Sequence, residues 1–363
     1  MSSSFQKNTG PAHRGIAGTK LSPHTAETVL SCGVSAIDYI IGGGLPLGGI
    51  VLVEEDAFGT YCVQLLKYYV AEGIEQQHHI YFASGDFEQA KFLCELPKAL
   101  QVTTGSAALH APAPVASDGD LKIAFRYERM AKQDSLLDYE ELNHVFDFSD
   151  RIESSKLAGA SVVTFDPCEK WQKGNSRCAG AALDSNYASV LAGVSRLVDK
   201  AKADENPLQF AVRVALQGLC SPTWGSLAGF SSFLHTLKSV IRGEPVSVFV
   251  TVPAVITGAH PSVLRRCRRL ADIVLKLQAF DDQERGANPL YKNYHGLLQI
   301  VKLCRLSSLG IRMPECDFLF HQRSKKFVVE RLHLPPDLGA DENTPAESKL
   351  PGLACASNQK FNF

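Results

Sequence analysis

Between about Val29 and Leu332 the chain alternates short apolar runs with longer amphipathic stretches. Short apolar runs bounded by turn residues predict buried strands, and apolar positions recurring with helical spacing predict helices. Strands are expected at Ile50–Val53, His79–Ser84, Ser161–Phe165, Gln209–Leu216 and Pro245–Val252. Helices are expected among them at Tyr61–Gly73, Phe87–Leu96, Tyr187–Ala203 and Phe230–Arg242, with Gly73 as a C-cap. Three further strands, Ile273–Leu277, Leu297–Leu303 and Phe327–Leu332, follow with no helix expected between them. Apolar strands alternating with helices imply an α/β fold built on a mostly parallel twisted sheet with helices on both faces. The β-rich ending implies antiparallel strands toward the C-terminus.

Residues 1–26 and 335–363 lack periodicity and are expected to be disordered tails around one domain at 27–334. The alternation fails at about 97–156. There a loop-like AALHAPAPVASDGD precedes LKIAFRYERM and an acidic segment, so an insertion after the second helix is expected. No internal repeat is visible.

Composition narrows the function classes. Lys and Arg total 37 against 38 Asp and Glu, a formal net charge of -1. A chain that coats nucleic acid by itself usually carries a basic excess, so that class is disfavoured. Hydrophobic residues are 45% and charged residues 21%, a globular composition. No apolar run is long enough to span a bilayer, and MSSSFQKNTGPAHRG has no hydrophobic core of a signal peptide. The expectation is a cytoplasmic protein with no membrane partner, the nucleus being a second compartment. Ten cysteines without a CxxC pair read as reduced, small apolar residues. His78 and His79 are adjacent, and His235, His260, His295 and His321 are isolated. None has ligand spacing, so no metal site is expected. Ser221 lies in no GxSxG elbow, and no catalytic residue is expected.

The most informative segment is Gly33–Gly73. Its glycine-rich turn, buried strand, loop and helix follow the layout of a phosphate-binding unit. A working loop reads GxxxxGK[ST]: glycines let backbone N–H groups converge on phosphate, Lys adds charge, and the hydroxyl holds Mg²⁺. With the helix as register, Glu55 and Thr60 stand at the glycine positions, Tyr61 at the Lys and Cys62 at the hydroxyl. Glu54, Glu55 and Asp56 add three carboxylates that would repel a triphosphate. A second strand ending in Asp should order the metal. That strand is Ala211–Leu216 and the next residue is Gln217, a poor Mg²⁺ ligand; Asp166 after SVVTF is a fallback. A degenerate phosphate loop on an ATPase-type scaffold is expected, with no cofactor in this chain.

Four motifs in order carry a family resemblance. They are GVSAIDYIIGGGLPLGG with VLVEED, then LKIAFRYE (Leu121–Glu128), HVFDFS (His144–Ser149) and LQGLCSPTWG (Leu216–Gly225). Together they resemble the family of the fourth subunit of the Elongator complex, a RecA-like protein. The resemblance implies a RecA-like domain in a heterohexameric ring with two paralogous subunits. It also implies a ring that joins the catalytic Elongator subcomplex, engages tRNA and supports wobble-uridine modification. ATP would then bind, if anywhere, at ring interfaces. The competing expectation is a divergent RecA-like or circadian-type ATPase that binds nucleotide at the loop 55–62 or between subunits.

Two basic clusters are candidate tRNA contacts. RRCRR supplies Arg265, Arg266, Arg268 and Arg269, and a hairpin supplies Arg323, Lys325 and Lys326. Guanidinium suits phosphate oxygens, but a solvated helix end, with cations favoured near its C-terminus, is the preferred reading of the first cluster. Phe125 and Tyr127 would stack on bases or, preferably, line a partner-binding strip.

Overall fold

The computed structural model describes residues 15–22, 27–100, 144–168, 179–203, 211–224, 226–304, 317–323 and 327–331. Its strands are β1 (Thr19–Leu21), β2 (Thr28–Leu30), β3 (Leu45–Pro46), β4 (Gly49–Glu54), β5 (His79–Ala83), β6 (Pro97–Leu100) and β7 (Val145–Arg151). They continue with β8 (Val162–Phe165), β9 (Val212–Leu216), β10 (Val246–Val252), β11 (Ile273–Ala279), β12 (Gly296–Lys302), β13 (Phe318–Gln322) and β14 (Phe327–Arg331).

Among the described residues nine strands form the main sheet, in the order β14-β13-β12-β11-β4-β10-β9-β5-β8. From β11 to β8 every neighbouring pair is parallel, while β11, β12, β13 and β14 pair antiparallel. The expected mostly parallel sheet with an antiparallel flank is therefore present. It places β4 inside the sheet, with β10 between it and β9.

Period-two alternation sorts β4 between two cores. Val51 and Val53 face a cluster with the helices Ser35–Ile40 and Thr60–Glu75. Ile50 and Leu52 face a second cluster beneath the helices Ala179–Ala203, Leu227–Ile241 and Pro261–Leu270. Both faces of the strand are dry, which is why its sequence reads as an unbroken apolar run.

Several expectations are corrected. The helix after β4 does not stop at Gly73 but runs to Glu75. Gly73 serves close packing: a Cβ there would lie 2.7 Å from Cδ of Arg213 and 3.1 Å from Cδ1 of Ile80. The C-terminal strands are not free of helices. Asp282–Ala287 forms a short helix on a reciprocal cap between Asp281 and Glu284, followed by a 3₁₀ turn at Pro289–Tyr291. The strand Phe318–Gln322 was not foreseen. The N-terminal stretch read as tail contributes β1, which pairs with β2, and its Ile16 is buried.

Within the stretch 97–156, expected as an insertion, β6 pairs antiparallel with β7, Leu100 opposite Val145. His144, just before β7, holds the buried carboxylate of Glu72 at 3.2 Å, which fastens the ribbon to the long helix and raises the imidazole's pKa. Residues 101–143, with Phe125 and Tyr127, lie outside the described residues, as do Lys325, Lys326 and 332–363.

Candidate functional site

The parallel strands β4, β10, β9 and β5 end along one edge, where their loops gather the degenerate motif residues. After β4 the chain passes through Glu55–Gly59 into the helix Thr60–Glu75. Gly59 is the N-cap, in the left-handed region at φ 66°, with no side chain capping the helix.

Tyr61 and Cys62, expected at the lysine and hydroxyl positions, are both taken up in packing. Tyr61 sits 4.8 Å edge-on to the ring of Phe320 and 5.8 Å from that of His295, stacked, so it folds onto the antiparallel flank. Cys62 is fully buried, and desolvation pushes its thiol well above the ordinary range. Thr60 is exposed at the helix start.

The three carboxylates have three different fates. Glu54 is buried and grips Arg268 bidentately, Nε to Oε1 at 2.6 Å and a terminal nitrogen to Oε2 at 2.8 Å. Burial pushes Glu55 up to about 7, against a lowering hydrogen bond from Thr251 and with Asp86 and Asp56 adding to the rise. Asp56 is buried and its Oδ2 accepts the N–H of Phe58 at 3.2 Å. One oxygen each of Glu55 and Asp56 has no hydrogen-bond partner among the described residues.

Gln217, at the end of β9, is a cross-link. Its Oε1 accepts from the Ser84 hydroxyl at 2.7 Å and its amide donates to Asp86 at 2.9 Å. Its carbonyl accepts the Trp224 indole N–H at 3.0 Å. A carboxylate here could accept from Ser84 but could not donate to Asp86, so the amide is the group this junction requires. Asp166 follows the edge strand β8 and accepts the Cys168 N–H at 2.7 Å, four strands from β4. Exposed apolar side chains stand on the same edge: Phe58 (73% exposed), Phe87 and Val255 (76%), after β4, β5 and β10.

The first basic cluster is divided by the helix Pro261–Leu270. Leu264 and Cys267 are buried, Arg265, Arg266 and Arg269 are exposed, and Arg268 goes to Glu54. Arg323 is exposed after β13, beside a hollow lined by His295, His321 and Glu330.

Sequence reasoning passed over the buried Arg213 on β9. Its Nε donates to His78 Nδ1 at 3.0 Å, and one terminal nitrogen donates to the carbonyls of Ser31 (2.8 Å) and Tyr69 (3.2 Å). The guanidinium also lies 4.9 Å from the Tyr69 ring centre. His78 is held neutral: burial first, then the Arg213 charge, lower its pKa to about 3. A lone cation inside the apolar run AVRVAL was the available signal, because such a residue needs partners.

A family model described as PAXNEB protein matches residues 12–362. Elongator complex protein 4 of Danio rerio is 32% identical over 379 aligned residues, covering 99% of this chain and 94% of the relative. The protein of the same name from Mus musculus is 32% identical, covering 96% of this chain and 88% of its own length. That from Saccharomyces cerevisiae is 24% identical, covering 88% and 76%. On a match that runs across nearly all of its length, the chain belongs to the PAXNEB family, whose relatives named above are each called Elongator complex protein 4.

Proposed function

We propose that this chain is a non-catalytic, RecA-like subunit of the Elongator complex. It assembles with two paralogous RecA-like subunits into a heterohexameric ring that joins the catalytic subcomplex. The ring engages tRNA and supports modification of the wobble uridine toward carboxymethyl-type side chains. Its place of action is the cytoplasm, with the nucleus as second compartment.

The observation that carries this reading is the family relation over almost the whole chain. The filled loop end of the sheet supports the non-catalytic part. Tyr61 and Cys62 are engaged in packing, and the Gln217 amide ties two loops together where a metal-ordering carboxylate would stand. Phe58, Phe87 and Val255, exposed after β4, β5 and β10, offer apolar side chains for a partner at that edge. Nucleotide, where the ring holds it, is completed by groups from neighbouring subunits.

Co-expression with the two paralogues tests the assembly. The expected result is one species whose mass fits two copies of each chain; a chain that stays apart removes the proposal. The chain alone should show no ATP-dependent rise in melting temperature, since a ligand selective for the folded state stabilises it by mass action. A saturable rise would favour the divergent-ATPase reading instead.

A further inference from the structure

Outside the loop end of the sheet, the densest unclaimed chemistry lies between the helices Leu227–Ile241 and Pro261–Leu270. The first buries Phe230, Phe233, Leu234 and Leu237, which leaves Ser232, His235 and Thr236 exposed on its outer face. The second buries Leu264 and Cys267, and Arg266 and Arg269, three residues apart, share its exposed face. Across an open groove of about 450 Å³, Arg266 and Arg269 face Ser231, Ser232, His235 and Thr236, and Leu270 completes the lining.

The helix dipole does not account for these arginines. Cations are favoured at a helix C-terminus because its last carbonyls are unpaired. Here two lysines already fill that role. Lys238 donates to the carbonyl of Leu270 at 2.8 Å, and Lys302 donates to those of Arg268 at 3.2 Å, Arg269 at 3.0 Å and Ala271. Lys238 is itself neutralised by Asp272 at 2.7 Å. Arg268 is spent on Glu54. Among the described residues Arg266 and Arg269 form no ion pair, and the groove lining contains no carboxylate.

Two guanidinium groups, the His235 imidazole and the Ser232 hydroxyl, without an acid among them, form a donor set matched to phosphate oxygens, while the Thr236 hydroxyl donates to the Ser232 carbonyl at 3.0 Å. The groove is open, so it admits a strand passing across it and does not enclose a free nucleotide. We propose that it receives a backbone phosphate of the bound RNA, with Arg266 and Arg269 as the contacting groups and Arg265 adding to the local field. This rests on the tRNA reading above and assigns it a place on this chain.

The test uses the full chain in its assembly with the partner subunits. Arg266→Glu with Arg269→Glu is compared with Lys91→Glu plus Lys200→Glu, which changes the net charge equally at exposed lysines elsewhere. tRNA affinity is measured against salt, with melting temperature as the control for folding. Each phosphate neutralised contributes about 0.7–0.9 to the slope of log K against log salt. The groove variant should therefore lose about one unit of slope and several-fold to about tenfold in affinity near 0.15 M salt, while the control retains both. Arg266→Lys with Arg269→Lys, which keeps the charge, should retain the slope. A groove variant indistinguishable from wild type overturns the groove assignment and leaves the tRNA reading standing. A wild-type assembly that does not retain tRNA overturns both. Binding of a phosphoserine peptide that depends on Arg266 and Arg269, in place of tRNA, reassigns the groove to a protein partner and overturns the RNA assignment.

Discussion

The loop end of the parallel sheet and the groove between helices Leu227–Ile241 and Pro261–Leu270 are opposites. The first follows a strand–loop–helix path, and a packed tyrosine ring, a buried thiol and a cross-linking amide gather there. The second follows no motif, yet it displays arginines, an imidazole and hydroxyls to solvent. Backbone layout and site chemistry are thus separable: packing holds a strand–loop–helix path in place whatever groups its loop carries. The two regions even share a helix and an ion pair, since Arg268 reaches from the basic helix to Glu54 at the end of β4.

The largest expected effect tests whether the sheet depends on buried polar pairing as much as on apolar packing. Arg213→Ala should cost about 3–5 kcal/mol in urea unfolding, because it strands His78 and two buried carbonyls. A loss under about 1 kcal/mol would show that relaxation or water replaces the guanidinium.

Next comes Glu55. Between its ordinary value of 4.5 and its folded value of about 7, the folded chain holds a proton that the unfolded chain has released. Stability should therefore fall as pH rises through that window, and Glu55→Gln should gain on the order of 2–3 kcal/mol at pH 8. The gain should shrink toward zero near pH 4.5. His78 acts in the opposite sense: folded at about 3 against 6.5, it withdraws stability as pH falls below 6.5. In Glu55→Gln that acid-side loss should persist in a pH series of melting temperatures, opposed between about pH 4 and 6 by Asp38, whose carboxyl burial pushes up to about 6.

Arg268 and Arg266 give the sharpest contrast within one helix. Arg268→Ala leaves the buried Glu54 unpaired and should cost about 2 kcal/mol, a value reduced because the guanidinium side is part-exposed. Arg266→Ala should stay within about 0.5 kcal/mol in stability while weakening RNA binding. Equal costs would break the division of that helix into an inward and an outward arginine. Smallest among the packing changes, Tyr61→Ala should cost about 1 kcal/mol through the lost contacts with Phe320 and His295. Tyr61→Lys should restore no ATP-dependent melting shift, since Cys62 stays buried and Gln217 stays bound to Asp86.

The strands were legible because both faces of β4, β9 and β10 are buried, which leaves runs that are mostly apolar, interrupted by Arg213 on β9 and by Ser247 and Thr251 on β10. Asp282–Ala287 was not, because it buries almost nothing and is held by a reciprocal cap. Gly73 was visible as a glycine, but its cause, the Arg213 side chain, lies far along the chain. At the loop after β4 the sequence told which residues stand there, not what each of them touches. That Tyr61 folds onto β13 depends on a strand more than two hundred residues later, which no local pattern contains. The groove is equally non-local: RRCRR names four arginines alike, and only Glu54, Lys238 and Lys302 separate them.

The ribbon of β6 and β7 has a consequence for how this chain tolerates change in length. Leu100 and Val145 stand opposite each other, so β6 ends and β7 begins at neighbouring points. Closing a loop grows costlier only with the logarithm of its length, about 0.6 kcal/mol for each doubling. The register of the ribbon is set by β6 and β7 themselves, so a reporter grafted between those two points should leave the pairing of Leu100 with Val145 unchanged.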